Sequence, residues 1–154
     1  MNRGVGHVYA LAFGNGDVKV GRTRNVKRRL ARHRYNARKS GLTITSVWVS
    51  PLHLEWDLNE ETLKKLAAKF GGTPLSPEYF NGTDYATLVS TATTLPFTPA
   101  PARITEARMY AIRSAALDVQ VRLTANADLQ KRWELLKATA RRRQDKPKSA
   151  KDAA

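Results

Sequence analysis

The sequence contains no cysteine. A disulfide framework, a zinc site built from thiolates and a cysteine nucleophile are therefore excluded. No stretch of the chain approaches the roughly 18 consecutive apolar residues that a membrane-spanning helix needs. Residues 1–6 also lack the apolar run of a secretory signal. These absences fit a protein of a reducing, cytoplasmic compartment without a membrane partner.

Acidic residues are scarce in this chain. Thirteen Asp and Glu residues stand against 27 Lys and Arg residues, which gives a formal net charge of +14 over 154 residues. A surplus of that size favours a polyanionic partner, with nucleic acid ahead of an anionic membrane surface. The alternative is a basic surface that serves only solubility. We favour nucleic acid because the positive charges are clustered along the chain rather than spread over it.

The N-terminal pattern predicts a β-hairpin. Residues 7–13 are rich in Val, Leu, Tyr and Phe in alternation, as in a half-buried strand. The segment 14–17 reads Gly-Asn-Gly-Asp and supplies residues that tolerate positive φ, as a tight turn requires. Residues 18–21 then form a short antiparallel partner strand.

The hairpin is followed by alternating helix and strand patterns. We predict a helix over residues 26–39 with Asn25 as its N-cap, and a third strand within residues 42–50. A second helix follows, with Asp57 or Asn59 as the candidate cap. The fold class is therefore α+β, a small three-stranded antiparallel sheet flanked by helices.

The composition changes after residue 90, which predicts a division of the chain. Residues 1–90 form the folded domain, and residues 91–103, rich in Pro and Thr and without charge until Arg103, form a linker. Residues 104–143 form a helical extension, and the basic tail 144–154 is expected to be disordered. The candidate buried positions of the extension are Leu117, Val121, Leu129, Trp133 and Leu136.

The helix after the hairpin is unusually basic. Nine Lys or Arg residues and no acid lie between Arg22 and Lys39. Like charges one helical turn apart repel each other, whereas a phosphate backbone removes that repulsion and releases counterions on binding. We therefore predict phosphate contact, with a solvated basic face as the alternative. The candidate nucleic-acid contacts are Arg22, Arg24, Lys27, Arg28, Arg32, Arg34, Arg38 and Lys39.

Four side chains of different chemistry come from the hairpin and this helix. Arg29 and His33 are four residues apart and share one helix face. Tyr9 and Lys19 come from the two strands that precede the helix. A phenol, an ammonium, a guanidinium and an imidazole close together suit chemistry on a phosphodiester.

These residues, taken in order, resemble the GIY-YIG endonuclease domain over about residues 5–88. That family carries a triad ending in tyrosine on one strand and a Tyr-Ile-Gly-like triad on the next. An arginine follows eight residues after that glycine, and a histidine four residues further. His7-Val8-Tyr9, Lys19-Val20-Gly21, Arg29 and His33 reproduce these spacings, with Lys19 in place of the second tyrosine.

With a lysine at this position, the second triad resembles that of a phage- and bacteria-associated branch of the family. That branch also tends to carry a late Glu-Trp-Phe-like motif, which Glu78-Tyr79-Phe80 resembles. The family glutamate on a later helix matches Glu60, with Glu61 as its close rival. Glu78 is a reserve carboxylate.

The resemblance implies a metal-dependent endonuclease that hydrolyses phosphodiester bonds in DNA, in the cytoplasm of a bacterial or phage-infected cell. Tyr9 would activate the water, with Lys19 and Arg29 lowering its pKa. Arg29 would neutralise the phosphate, and His33 would orient water or shuttle a proton. Glu60 would hold Mg²⁺ or Mn²⁺.

Two alternatives stay open. The first is a catalytically inactive nucleic-acid-binding module on the same fold, because Lys19 replaces a family tyrosine. The second is a basic assembly or ribosome-associated protein whose helices pack on a partner. Trp48, Trp56 and Trp133 are predicted to be core residues, with base stacking as the alternative for Trp56.

Overall fold

The computed structural model describes residues 4–125, 139, 141 and 142. Residues 1–124 form one compact unit and residues 125–154 a second. The first unit is α+β, with a five-stranded antiparallel sheet. Its elements are β1 (His7–Phe13), β2 (Asp17–Thr23), α1 (Val26–Lys39), β3 (Ile44–Val49), α2 (Trp56–Lys69), β4 (Thr73–Pro74), β5 (Tyr79–Asn81), α3 (Tyr85–Ala92) and α4 (Glu106–Thr124).

The predicted hairpin of β1 and β2 lies at the centre of the sheet, whose strand order is β3-β1-β2-β5-β4. Gly16 takes a φ of 88° in the turn, a conformation that glycine adopts without steric cost. The register places Tyr9 directly opposite Gly21 and Leu11 opposite Lys19. The hairpin therefore sets which side chains of the two strands meet.

The two faces of the sheet pack against different helices. Val8, Ala10 and Val20 share one apolar cluster with residues of α2 and α3. Tyr9 and Leu11 share the other, with residues of α1 and β3. Alternate residues of a strand point to opposite faces, so Tyr9, Lys19 and Gly21 all belong to the face that α1 covers.

The prediction of three strands was wrong in number, although the α+β class is confirmed. Thr73–Pro74 and Tyr79–Asn81 add β4 and β5 beyond β2. Strands of two and three residues are too short to show an alternating pattern. They gain their hydrogen bonds from the existing edge of the sheet, which the local sequence does not reveal.

The starts of α1 and α2 differ in how they are capped. Asn25 caps α1 as predicted, because its side chain accepts a hydrogen bond from the Arg28 amide. The predicted cap of α2 at Asp57 or Asn59 was wrong, since Glu55 occupies the N-cap position without a capping hydrogen bond from its side chain. Asn59 is instead buried within the helix.

Residues 91–103, predicted to be a linker, are held against the start of α2. The Leu54 amide donates to the Thr98 carbonyl over 3.0 Å. Glu55, 1 % exposed, accepts hydrogen bonds from both the amide and the hydroxyl of Thr98. Asn59 donates to the Pro96 carbonyl at 2.9 Å. These contacts explain why the carboxylate of Glu55 is not used as a helix cap.

Helix α4 packs on α2 within the first unit, and Lys69 donates to the Leu123 carbonyl at 3.0 Å. The prediction that Leu117 and Val121 are buried was wrong, because they are 46 % and 69 % exposed. Ala116 and Gln120 are the buried residues of this helix instead. Val119 and Leu123 pack against the core beside them, so the buried face of the helix is offset from the predicted one.

Three of the predicted buried positions, Leu129, Trp133 and Leu136, lie outside the described residues, as does the predicted basic tail 144–154. Residues 139, 141 and 142 are helical. Within the described part of the chain, no helix is both long enough and apolar enough to cross a membrane.

Candidate functional site

The site is built around Tyr9, on the sheet face that α1 covers. Its side chain is 1 % exposed and its hydroxyl lies 2.9 Å from Nε2 of His33. Gly21 provides the space for the ring, because a Cβ at that position would lie 2.6 Å from Cζ of Tyr9. The glycine of the second strand is therefore needed for the position of the phenol.

Arg29 connects Tyr9 to the surface of α1. Both the charge of Arg29 and its interaction with the Tyr9 hydroxyl act to lower the pKa of the phenol. Burial has the larger effect and raises the pKa of Tyr9 to about 12. The expectation of a lowered pKa was therefore wrong, and Tyr9 is a protonated phenol at neutral pH.

His33 is neutral in the same environment. Burial lowers its pKa to about 4, with a further contribution from the charges of Lys19, Arg29 and Arg32. Nε2 of this neutral imidazole can accept the phenolic proton of Tyr9 in the tautomer that is protonated at Nδ1.

Lys19 is 4 % exposed and has a specific counter-ion. Its Nζ lies 2.5 Å from Oε2 of Glu78 and 4.3 Å from the ring centre of Tyr79. The hydrogen bond from Lys19 lowers the pKa of Glu78. The carboxylate of Glu78 therefore neutralises Lys19. In the sequence, the only sign of this pairing is that the Lys19-Val20-Gly21 and Glu78-Tyr79-Phe80 motifs occur together.

The two candidate metal-binding carboxylates lie in different environments. Glu60 is 7 % exposed, and its Oε2 lies 3.0 Å from Nε of Arg22 while its Oε1 lies 3.7 Å from Nζ of Lys64. Burial raises the pKa of Glu60 against the effect of these cations. The side chain of Glu61 is 55 % exposed and pairs with Lys64. Of these two carboxylates, Glu60 contributes to raising the pKa of Tyr9, although Glu78 has a larger effect.

The donor chemistry at Glu60 fits a hard divalent cation. Mg²⁺ commonly binds one or two carboxylates, with waters and substrate phosphate oxygens completing its octahedron. No group of three His, Asp or Glu side chains suited to a metal ion occurs among the described residues. A cation here would thus depend on the substrate for several of its ligands.

A basic cavity of about 690 Å³ opens beside these groups. Arg29 is part of its wall and also lies close enough to Tyr9 to act on the pKa of the phenol. Trp56, at the start of α2, also lines it. Of the eight predicted nucleic-acid contacts, four line this cavity: Arg22, Arg24, Arg28 and Arg32.

The other four predicted contacts are Lys27, Arg34, Arg38 and Lys39, which are exposed but do not line the basic cavity. Arg34 and Arg38 border a smaller depression of about 210 Å³ near the C-terminal end of α1. The structure thus brings together Tyr9, Lys19, Arg29, His33 and Glu60, and it divides the predicted contacts along α1 into two groups.

No match to the chain is found among protein-family models, curated proteins or solved structures. The function is therefore inferred from the residues and geometry of this site.

Proposed function

We propose that this protein is a metal-dependent endonuclease of the GIY-YIG type that hydrolyses phosphodiester bonds in DNA. The observation that carries the proposal is the hydrogen-bonded pair of Tyr9 and His33, with Arg29 near the phenol in the wall of an arginine-lined cavity and Glu60 nearby. Its chemistry matches what phosphodiester hydrolysis needs, namely a proton acceptor, fixed positive charge and a carboxylate for a metal ion.

Arg29 is suited to the phosphate. Its planar guanidinium donates several hydrogen bonds in a fixed geometry and stays charged at all relevant pH values. It lines the cavity and lies near the phenol, so a phosphate bound in the cavity would meet a side chain that also acts on Tyr9. Arg29 would therefore stabilise the negative charge that develops on the phosphate oxygens in the transition state.

Tyr9 and His33 form a path for a proton. A phenol with a pKa of about 12 does not ionise by itself at neutral pH. Neutral His33, at 2.9 Å, can accept the phenolic proton while Tyr9 takes one from the attacking water. The proton then resides on His33, and the negative charge of the bound phosphate would stabilise the imidazolium.

The metal ion would be held by Glu60, and when bound it would polarise the phosphate and stabilise the leaving oxygen. Arg22 forms an ion pair with Oε2 of Glu60 in the structure, but 42 % of the Arg22 side chain is exposed. A phosphate in the basic cavity offers Arg22 an alternative anionic partner. Substrate binding would therefore free the carboxylate by exchanging one ion pair for another.

The test is nicking of supercoiled plasmid DNA by the full chain with Mg²⁺. We expect nicking by the wild type, and its loss on EDTA addition and in Arg29→Ala. Glu60→Gln should lose activity while the neighbouring Glu61→Gln keeps it, which makes Glu61 a matched control. Nicking by Arg29→Ala at the wild-type rate would overturn the proposal.

A second candidate is a nucleic-acid-binding module without catalysis. It is favoured by the ion pairs at both oxygens of Glu60 and by the raised pKa of Tyr9. In that case the wild type would bind DNA with strong salt dependence, and Mg²⁺ would produce no nicks at any protein concentration.

A further inference from the structure

A second cavity lies next to the basic cavity and has a different character. It encloses about 830 Å³, within the range of small-molecule sites, and shares Arg22, Arg24 and Trp56 with its neighbour. Leu54, at the N-terminal side of α2, and Ile104, which precedes α4, contribute apolar surface. A site with both apolar and polar surface that opens beside a phosphate-binding surface is suited to a nucleobase.

Trp56 forms the wall between the two cavities, and its ring is fixed in position. A Cβ on Gly6 would lie 2.7 Å from Cζ3 of the indole, so the ring packs directly against the backbone there. The guanidinium carbons of Arg22 and Arg24 lie 4.9 and 5.3 Å from the ring centre. Both arginines are exposed, and Arg22 also pairs with Glu60 through its Nε.

The second cavity also contains polar groups that suit the edge of a base. Asp57 and Arg113 line it and pair with each other, with Nη2 of Arg113 at 3.1 Å from Oδ2 of Asp57. A carboxylate accepts hydrogen bonds from exocyclic amines, and a guanidinium donates to ring nitrogens and carbonyls. The pair is partly exposed, so its groups are accessible to a bound base.

We propose that Trp56 is a stacking platform for an unpaired nucleobase, which the second cavity receives while the neighbouring phosphate lies in the basic cavity. Arg24 and Arg22 would shift to contact the phosphates that flank the base, or stack on it with their guanidinium planes. The inference rests on the proposed function and deepens it, because it names the substrate class: nucleic acid with a single-stranded, bulged or extruded nucleotide next to the cleaved bond.

The need for an unpaired base follows from geometry. In a regular duplex both faces of each base are covered by its neighbours, so a fixed indole can stack only on a base that has left the helix. Proteins that bind single strands combine a basic surface with aromatic stacking, and the stacking does not depend on base identity. The structure holds both components within one continuous surface.

Binding is tested with the full chain in EDTA, so that cleavage plays no part. Three probes of equal length are compared: a single strand, a blunt duplex, and a duplex with one bulged 2-aminopurine. Stacking on Trp56 should quench the 2-aminopurine fluorescence of the bulged probe. Trp56→Ala should weaken binding of the single-stranded and bulged probes by about 5- to 150-fold, and of the blunt duplex by less than about twofold.

Two variants serve as controls. Trp56→Phe keeps an aromatic face and should retain most of the affinity and quenching, which separates stacking from a general loss of structure. Tyr35→Ala removes an exposed aromatic residue that, like the half-buried Trp56, carries a cation over its ring, at 5.5 Å, but that does not line either cavity. It should leave the preference for unpaired bases unchanged.

The outcomes separate this inference from the proposed function. Equal weakening of all three probes by Trp56→Ala, or unchanged quenching in that variant, would overturn the stacking platform and leave the nuclease proposal standing. Selective weakening by a protein that never nicks plasmid would support the platform and contradict the nuclease. A wild type that binds none of the probes would contradict both.

Discussion

The hydroxyl of Tyr9 lies 2.9 Å from Nε2 of His33, and the two side chains are 1 % and 8 % exposed. One comes from the central hairpin and the other from the helix that follows it, so the contact also joins the sheet to α1. Because burial makes the phenol a weaker acid and the imidazole a weaker base, both groups are neutral at pH 7. Their hydrogen bond therefore positions a proton between two uncharged side chains.

Replacement of Tyr9 with Phe should remove catalysis and leave the fold intact. The ring still fills the space beside Gly21, while the proton path to His33 is lost. Proton transfer by a positioned side chain contributes about 10²- to 10⁴-fold, and we expect nicking to fall by that factor. The measurement is plasmid nicking together with a thermal unfolding curve. Nicking at the wild-type rate would show that the phenol takes no part.

The free energy of unfolding should fall as the pH is lowered from 6.5 to 4. In that interval the unfolded chain binds a proton at His33 that the folded protein, with a pKa of about 4, does not bind. Since a tenfold difference in proton affinity is worth about 1.4 kcal/mol, the expected loss is about 3 kcal/mol. The contribution of His33 to the free energy of unfolding is thus fully present above pH 6.5 and is lost as the pH falls toward 4.

Urea unfolding at several pH values measures this effect, with His33→Gln as the comparison. The variant should show a shallower dependence on pH over the same interval. A residual slope is expected from His53, whose pKa burial also lowers. Identical slopes in the variant and the wild type would contradict the assignment to His33.

Gly21→Ala should damage the site more than the fold. The new methyl group would lie 2.6 Å from Cζ of Tyr9, so the phenol must move away from His33. Overpacking of this kind costs about 1–3 kcal/mol of stability. Gly14→Ala is the matched control on the same hairpin, because its nearest contacts would be 3.8 Å away. Nicking assays should show a large loss for the first variant and little change for the second.

The pair of Lys19 and Glu78 should respond asymmetrically to mutation. Glu78→Gln leaves a buried ammonium without its carboxylate and should cost about 1–3 kcal/mol. Lys19→Met leaves a carboxylate whose side chain is 45 % exposed and can be hydrated, so the loss should stay below about 1 kcal/mol. Urea unfolding of both single variants and of the double variant measures the coupling.

In the double variant most of the stability lost in Glu78→Gln should return, because no buried charge remains. Glu61→Gln, which breaks the exposed pair with Lys64, should change stability by less than about 0.5 kcal/mol. If Glu78→Gln and Lys19→Met lowered the free energy of unfolding equally, the difference in burial between the two side chains would not determine the loss of stability.

The affinity for DNA should fall steeply with salt. Each phosphate neutralised contributes about 0.9 to the slope of log K against log salt concentration. Arg28→Ala and Arg32→Ala should therefore each reduce that slope by about 1. Arg108→Ala, an exposed arginine of α4 that lines neither cavity, is the control and should leave it unchanged. Fluorescence anisotropy over a salt series is sufficient.

The local parts of the fold were predictable because they are encoded within short segments. The hairpin follows from strand alternation around a glycine-containing turn, and Asn25 marks the start of α1. The short strands β4 and β5 were not predictable in this way. β5 pairs with β2 and β4 pairs with β5, and pairing between strands of two or three residues leaves no periodic pattern in the sequence.

The same distinction between local and long-range determinants applies to the residues of the site. Tyr9, Arg29 and His33 lie within one continuous segment. Helix periodicity grouped Arg29 with His33, and the spacing shared with the GIY-YIG family grouped both with Tyr9. The pKa of Tyr9 was predicted in the wrong direction because its burial depends on the whole core. Glu78 as the partner of Lys19, and Trp56 beneath two arginines, depend on tertiary contacts between residues far apart in sequence.

The antiparallel pairing of β2 with β5 has a consequence for how this protein opens. Glu78 is held next to β2 through the hydrogen bond from the Val20 amide to its carbonyl, at 3.0 Å, and through its ion pair with Lys19. Detachment of the β4–β5 edge would therefore remove the counter-ion of Lys19 at the same moment. Hydrogen exchange at the Val20 amide should report on this local opening. Opening of the sheet edge would leave the positive charge of Lys19 without its carboxylate.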